Sequence, residues 1–188
     1  MSAFTIHTPQ TAPAASRPLL QGIQQAYGFV PNLFAVFAES PAALEGALAL
    51  ARAFSQSTLT AVEQQFVALA VSEANDCEFC MAAHSTLAKR VAKADPALVA
   101  AARARERLPH PKLDALVSFT RKVVEQRGFV ADADVAAFLR AGYTRANLLE
   151  VLLGVGMKTF NNYVDHIAQV PLNDQFKAEA WQPKGRVA

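Results

Sequence analysis

The run Glu73-Ala74-Asn75-Asp76-Cys77-Glu78-Phe79-Cys80-Met81-Ala82-Ala83-His84 holds both cysteines of the 188-residue chain and one of its four histidines. From Cys77 onward it reads as a helix, with Asp76 as the candidate N-cap after a break at Asn75-Asp76. A helix turns about 100° per residue, which puts Cys77 and Cys80 about 60° apart and Cys80 and His84 about 40° apart. All three therefore share one face. This is the arrangement a dithiol needs if its sulfurs are to form a disulfide while an imidazole exchanges protons with one of them. The reactive species is the thiolate, and the first-turn N–H groups and positive dipole end of a helix stabilise it. His84 can accept the thiol proton directly or through water. Phe79, Ala82 and Ala83 make the surroundings apolar.

Working outward, the rest of the chain reads as helices. Thr60 followed by Glu63 is a capping box that opens a helix over residues 58–72, with Phe66, Leu69 and Ala70 as apolar positions. Ser40-Pro41 starts another, with Leu44, Leu48 and Ala51 on one face. Residues 19–27 have helical spacing and Gly28 ends them. Phe29-Val30-Pro31-Asn32 is a connector, with Asn32 a cap for a short helix through Phe37. Downstream, helices are expected over residues 77–91, from Asp95-Pro96 to near Arg107, over 112–126 before Gly128, and over 132–141 before Gly142. Thr144 opens a last long helix to about His166-Ile167, which Pro171 closes ahead of a polar tail. No strand alternation and no short repeat is present, so the fold class is all-α. Residues 1–18, rich in Thr, Ala and Pro, read as an N-terminal arm, and residues 19–188 as a single helical domain.

Composition narrows the function. The chain is 52% hydrophobic and 18% charged with a formal charge of +2, which suits a folded core and gives no basic patch for nucleic acid. No secretory signal is visible, and no stretch of about 20 apolar residues exists to span a membrane. A cytoplasmic location is expected, where thiols stay reduced and a CxxC reads as catalytic or metal-binding before it reads as a structural staple. Zinc would need a fourth ligand besides Cys77, Cys80 and His84. Glu73, His110 or His166 can be nominated, but there is no second CxxC or His pair, and no metal is expected. The blandest alternative is two inert, buried thiols.

The pattern Asn75-x-Cys77-x-x-Cys80-x-x-x-His84, behind the helix over 59–71, resembles the core of the alkylhydroperoxidase D-like proteins of the carboxymuconolactone decarboxylase superfamily. Phe29-Val30-Pro31-Asn32 and the late run Lys158-Thr159-Phe160-Asn161-Asn162-Tyr163-Val164-Asp165-His166 resemble the longer, peroxidase-related members. The resemblance implies an alkylhydroperoxidase D-like helical bundle that assembles as a homo-oligomer, a trimer or hexamer. It implies peroxidase activity by thiol–disulfide exchange with no haem, flavin or metal cofactor. Cys80 would attack the peroxide and become a sulfenic acid, Cys77 would resolve it to a disulfide, His84 would belong to the proton relay, and a dithiol protein would restore the reduced state. The family's relay glutamate stands twelve residues before the first cysteine, where this chain has Gln65. Glu73 is the candidate substitute, provided the chain turns so that its carboxylate faces the thiols.

Other readings stay open at this point. A redox-sensing oligomer would oxidise without useful turnover. Lactone decarboxylation, also in the superfamily, does not need a dithiol. Outside the motif, His166 is expected in a helix seam or lining the site, and His110 in an exposed linker. Gly154 and Gly156 suggest close helix approach, and Trp181 an anchor for the tail.

Overall fold

Local capping chemistry sets most helix starts in the computed structural model, which describes residues 4–183. The first three residues of the expected arm and the last five of the expected domain lie outside the described residues. Nine helices follow in order: α1 Arg17–Tyr27, α2 Asn32–Phe37, α3 Pro41–Ser55, α4 Ala61–Ala74, α5 Glu78–Arg90, α6 Pro96–Arg103, α7 Pro111–Glu125, α8 Asp132–Arg140 and α9 Arg145–Ala168. Two 3-10 turns, Ala14–Ser16 and Asp174–Glu179, complete the described residues, which contain no strand. The Ser40 side chain accepts from the Ala43 amide to start α3. Thr60 with Glu63, and Thr144 with Asn147, form complete capping boxes at α4 and α9. Gly28 closes α1 in the left-handed region at φ 79°.

Helix α4 is the centre. Its residues from Phe66 to Glu73 are all buried, the pattern of a helix covered on every side. It packs against α5, α7 and α9. One apolar cluster fills the space between α4, α6, α7, α8 and α9 and includes Phe66, Leu69, Leu116, Phe119 and Phe138. A second lies between α1, α2, α3, the start of α5 and the C-terminal segment; it includes Leu20, Phe37, Leu44, Phe79 and Phe176, and it contains both cysteines.

Four expectations change. The segment before α1 is packed rather than free: Ala12 and Ser16 are buried, and the Ser16 hydroxyl donates to the Ala38 carbonyl at 2.8 Å. Asn32 is the first residue of α2, not its cap. Its amide side chain donates to Pro171 O, and its backbone N–H is met by Asn173 Oδ1, tying α2 to the C-terminal segment. Helix α6 stops at Arg103, because Arg105 sits at φ 59° and turns the chain toward α7. His110 is no idle linker residue; its Nδ1 accepts from the Leu113 amide and caps α7. The tail also docks: Phe176 is buried, and the Trp181 indole donates to Arg103 O at 3.1 Å.

Candidate active site

The α4–α5 joint positions the dithiol. Asp76 lies at φ 55°, the Asp76 amide bonds Glu73 O, and the Cys77 amide bonds Ser72 O. These two bonds form a Schellman motif with Asp76 as its left-handed residue. Asp76 is therefore not the N-cap of α5, as its place in the sequence suggests; an N-cap needs extended backbone, and Asp76 is bent the other way to close α4. Cys77, at φ −89° and ψ 101°, takes the N-cap position, and α5 begins at Glu78. Cys80 then falls in the first turn of α5, where backbone amides are unpaired and the dipole is positive.

Both cysteines are free thiols and both are buried. Their partners come from α9, across the chain. Lys158 Nζ lies 3.3 Å from Cys80 Sγ, and Lys158 is itself buried. Cys77 Sγ lies 3.2 Å from Asp165 Oδ2, so the one thiol proton has both that carboxylate and the Cys80 sulfur as acceptors. The hydrogen bond from Cys77 and the Lys158 ammonium hold the Cys80 pKa down to about 6, against the opposing effect of burial. The hydrogen bond to Cys80, with burial next, pushes Cys77 far above the ordinary thiol range. The pair is thus asymmetric: the surroundings favour the thiolate at Cys80 and the protonated thiol at Cys77.

His84 and Gln65 form a second pair. His84 Nδ1 lies 2.9 Å from Gln65 Oε1; since that oxygen only accepts, Nδ1 carries the proton and Nε2 is the free acceptor. Burial, and then the Lys158 ammonium, hold the His84 pKa well below its ordinary value, so the imidazole is neutral at pH 7. Gln65 thus occupies the place expected of the relay glutamate and fixes the imidazole tautomer without being able to carry a proton.

Glu73 does not face the thiols. Its carboxylate pairs with Arg121 Nε at 2.8 Å and with Arg105 at 3.3 Å, on the side of α4 turned to α7. The Schellman turn sends Cys77 away from that side, so Glu73 joins helices instead of standing in for the relay acid.

Two cavities flank the dithiol. A small one of about 110 Å³ is lined by Cys80, His84, Lys158, Asn161 and apolar groups that include Phe34, Phe79, Met157 and Phe176. The Oδ1 atom of Asn161 is buried there without a hydrogen-bond partner among the described residues. A larger one of about 780 Å³ is lined by Asp76, Glu78, Asp165, His166 and Trp181, among others. Phe79 borders both. Among the described residues, the set of three metal-type donor groups within 4.8 Å of one another is Cys77, Asp165 and His166. It leaves out Cys80 and His84 and falls short of a closed four-donor zinc site.

The chemistry-bearing residues that the motif alone does not reveal are Lys158 and Asp165. With Asn161 and Asn162 they make a buried polar stripe at i, i+3, i+4 and i+7 along α9. Asn162 accepts from Asn75 at 3.0 Å, which locks the stripe to the α4–α5 joint. That spacing of polar residues in an apolar helix was the available signal.

Residues 37–109, the segment holding α3 to α6 and the dithiol, match the carboxymuconolactone decarboxylase family. No curated protein sequence matches the chain. Among solved structures, the chain is similar to the alkylhydroperoxidase AhpD core of an uncharacterized peroxidase-related protein from Ralstonia eutropha JMP134, at TM-score 0.83 and 24% identity over 97% of this chain and 98% of that one. A peroxidase-related protein from Silicibacter sp. TM1040 superposes at TM-score 0.80 with 19% identity, covering 94% and 93%. A Cys-to-Ala variant of the debrominase Bmp8 in complex with 2,3,4-tribromopyrrole superposes at TM-score 0.80 with 16% identity, covering 95% and 96%. The chain has the all-α fold of these structures, and its match to the carboxymuconolactone decarboxylase family lies in residues 37–109.

Proposed function

We propose that the protein is a thiol-dependent peroxidase that reduces alkyl hydroperoxides through a Cys77–Cys80 dithiol–disulfide cycle. The observation that carries this reading is the position of the Cys80 sulfur: it lies in the first turn of α5, 3.3 Å from Lys158 Nζ, and borders a small apolar cavity. Such a cavity admits a small organic hydroperoxide and excludes most water. Asn161 Oδ1 supplies an acceptor for the hydroperoxide O–H. The Cys80 sulfur attacks the terminal oxygen, the O–O bond breaks, and the alkoxide leaves and is protonated by solvent. Lys158 stabilises the charge on the departing oxygen, and neutral His84 Nε2 is the alternative acceptor for the same O–H, which places His84 in the proton relay. Cys77 then displaces hydroxide from the Cys80 sulfenic acid to give the disulfide, and a dithiol reductant returns both thiols.

The test is peroxide consumption with a dithiol reductant, comparing hydrogen peroxide with cumene hydroperoxide. Wild type should turn over, and Cys80→Ser should not. Cys77→Ser should still form a sulfenic acid but no internal disulfide. Full activity in both variants sinks the dithiol mechanism. A disulfide that forms once without turnover points to a redox sensor instead.

The debrominase of the same fold favours a second reading. The Cys80 thiolate would take bromine from a small bromoarene, the ring carbon would take a proton, and Cys77 would displace bromide to give the same disulfide. Release of bromide from a bromopyrrole, with no peroxide turnover, would select it.

A further inference from the structure

The two sulfurs of the dithiol have different surroundings. Cys80 borders the small apolar cavity together with His84 and Lys158. Cys77 is fully buried, and its thiol points to Asp165, which lines the large cavity beside exposed His166. His84 stands in the wall of the small cavity, on the side of Cys80. The proposed cycle needs a base for Cys77 when it attacks and an acid when it leaves, and the group in contact with it is a carboxyl.

We propose that Asp165 is the acid–base residue of Cys77, exchanging its proton with water in the large cavity past His166. This rests on the dithiol cycle argued above. In the oxidative half, Asp165 takes the Cys77 thiol proton as the Cys77 sulfur attacks the Cys80 sulfenic acid. The S–S bond forms and the S–O bond breaks. Hydroxide leaves as water with a proton from the Lys158 ammonium, which solvent later restores. The protonated Asp165 is an ordinary outcome in this setting, since burial raises its pKa above the usual carboxylate value. In the reductive half, a thiolate of the dithiol reductant attacks the Cys80 sulfur from the small cavity. The S–S bond breaks, its electron pair goes to Cys77, and Asp165 returns the proton. The second reductant thiol then closes its own disulfide and releases the Cys80 thiolate.

The charged and titratable groups facing Asp165 are Cys77 and Cys80 at the start of α5, and Lys158 and His166 on α9 itself. Asp76 and Glu78 stand across the large cavity. Of the two groups that line the large cavity near the Cys77 sulfur, Asp165 lies at hydrogen-bond distance, and a His166 ring nitrogen lies within 4.8 Å.

The test separates the two chemical steps in the reduced full-length protein. After rapid mixing with cumene hydroperoxide, the Cys80 sulfenic acid is trapped with dimedone, and the disulfide is followed by loss of free thiol. In Asp165→Asn the sulfenic acid should form as in wild type, while disulfide formation slows by roughly 100-fold, the usual worth of a positioned base. The dimedone adduct should accumulate. The wild-type disulfide rate should rise with pH through the ionisation of Asp165, and in the variant that rise should be lost from the same pH range. Asp165→Glu should recover part of the rate. An unchanged disulfide step in Asp165→Asn overturns the proposal and leaves the peroxidase reading intact. Should Asp165→Asn not fold, Asp165→Ala with added formate decides: a saturable rise in the disulfide rate supports the proposal, and no response overturns it. Should wild type form no sulfenic acid, the peroxidase reading fails by itself. Oxidised glutathione then replaces the peroxide, and a mixed disulfide at Cys80 that persists in Asp165→Asn but not in wild type supports the role of Asp165. Equal resolution in both overturns it.

Discussion

Lys158 carries the electrostatics of the site. A buried ammonium beside a buried sulfur favours the thiolate, because each charge in a low-dielectric interior needs the other. Replacing Lys158 by Met should raise the Cys80 ionisation midpoint from about 6 toward the free-thiol value, since burial then acts with only the Cys77 hydrogen bond against it. Ultraviolet absorbance of the thiolate against pH measures this directly. At pH 7 the variant should also react more slowly with peroxide, in proportion to the lost thiolate. The sequence shows Cys77, Cys80 and His84 because their relation is local and helical. It shows neither Lys158 nor Asp165 as their partners, because α9 meets α5 only through tertiary packing, across 78 and 88 residues of chain. Gln65 was visible as a departure from the family pattern. Its hydrogen bond to His84 needed the packing of α4 against α5 to become a fact.

At the scale of helices, the same distinction holds. Caps at Ser40, Thr60 and Thr144 are legible because a cap involves four consecutive residues. The α4–α5 joint is not, since Asp at a left-handed position and Asp at an N-cap look alike in sequence. Glu73 illustrates the consequence. Its contacts with Arg121 and Arg105 join α4 to α7 and to the turn after α6. Glu73→Gln should lower stability by about 1–3 kcal/mol, the worth of a buried carboxylate's hydrogen bonds to partly exposed Arg121 and Arg105. Thermal unfolding would register that loss, while single-turnover oxidation of Cys80 should be unaffected. A relay role would reverse the pattern. Gly154 makes a comparable point about packing. A Cβ there would lie 2.7 Å from the Phe54 ring and 2.8 Å from Val67, so α9 approaches α3 and α4 within the chain at this glycine. Gly154→Ala should destabilise by roughly 1–3 kcal/mol through overpacking, despite the better helix propensity of Ala. Denaturant unfolding gives the number.

The whole molecule inherits two properties from these parts. The first is its response to pH. Cys80 has a depressed folded-state pKa, so its contribution to stability is complete above the unfolded value of 9.0 and is lost as pH falls through about 6. The raised pKa of Cys77 acts the other way, with a contribution present below 9.0 and lost above it. The reduced protein should therefore gain stability between about pH 6 and 9 and lose it beyond. Cys80→Ser should flatten the rise, as melting curves across that range would show. The second property concerns assembly. Leu149, Leu152, Tyr163 and Ile167 are exposed and share one face of α9, with Gly156 in their midst. A Cβ at Gly156 would meet nothing within 4 Å among the described residues, so the glycine, which costs a helix roughly 1 kcal/mol, has no packing reason among them. We assign this stripe to contact with a second copy. Light scattering should find an oligomer that Ile167→Glu dissociates, and a monomeric wild type would refute the assignment. None of the described helices is long and apolar enough to cross a membrane.

The small volume beside Cys80 bears on how long a catalyst running the proposed cycle would last. A sulfenic acid that meets a second oxidant goes on to sulfinic acid, from which thiols cannot recover it. In a space of about 110 Å³, the newly formed alcohol and the sulfenic oxygen leave little room for another hydroperoxide. Cys77, already seated at the head of the same helix, has first access to the sulfur. Under the proposed peroxidase cycle, hyperoxidation would be a rare accident of turnover, and the protein should survive bursts of oxidant that would inactivate an open thiol.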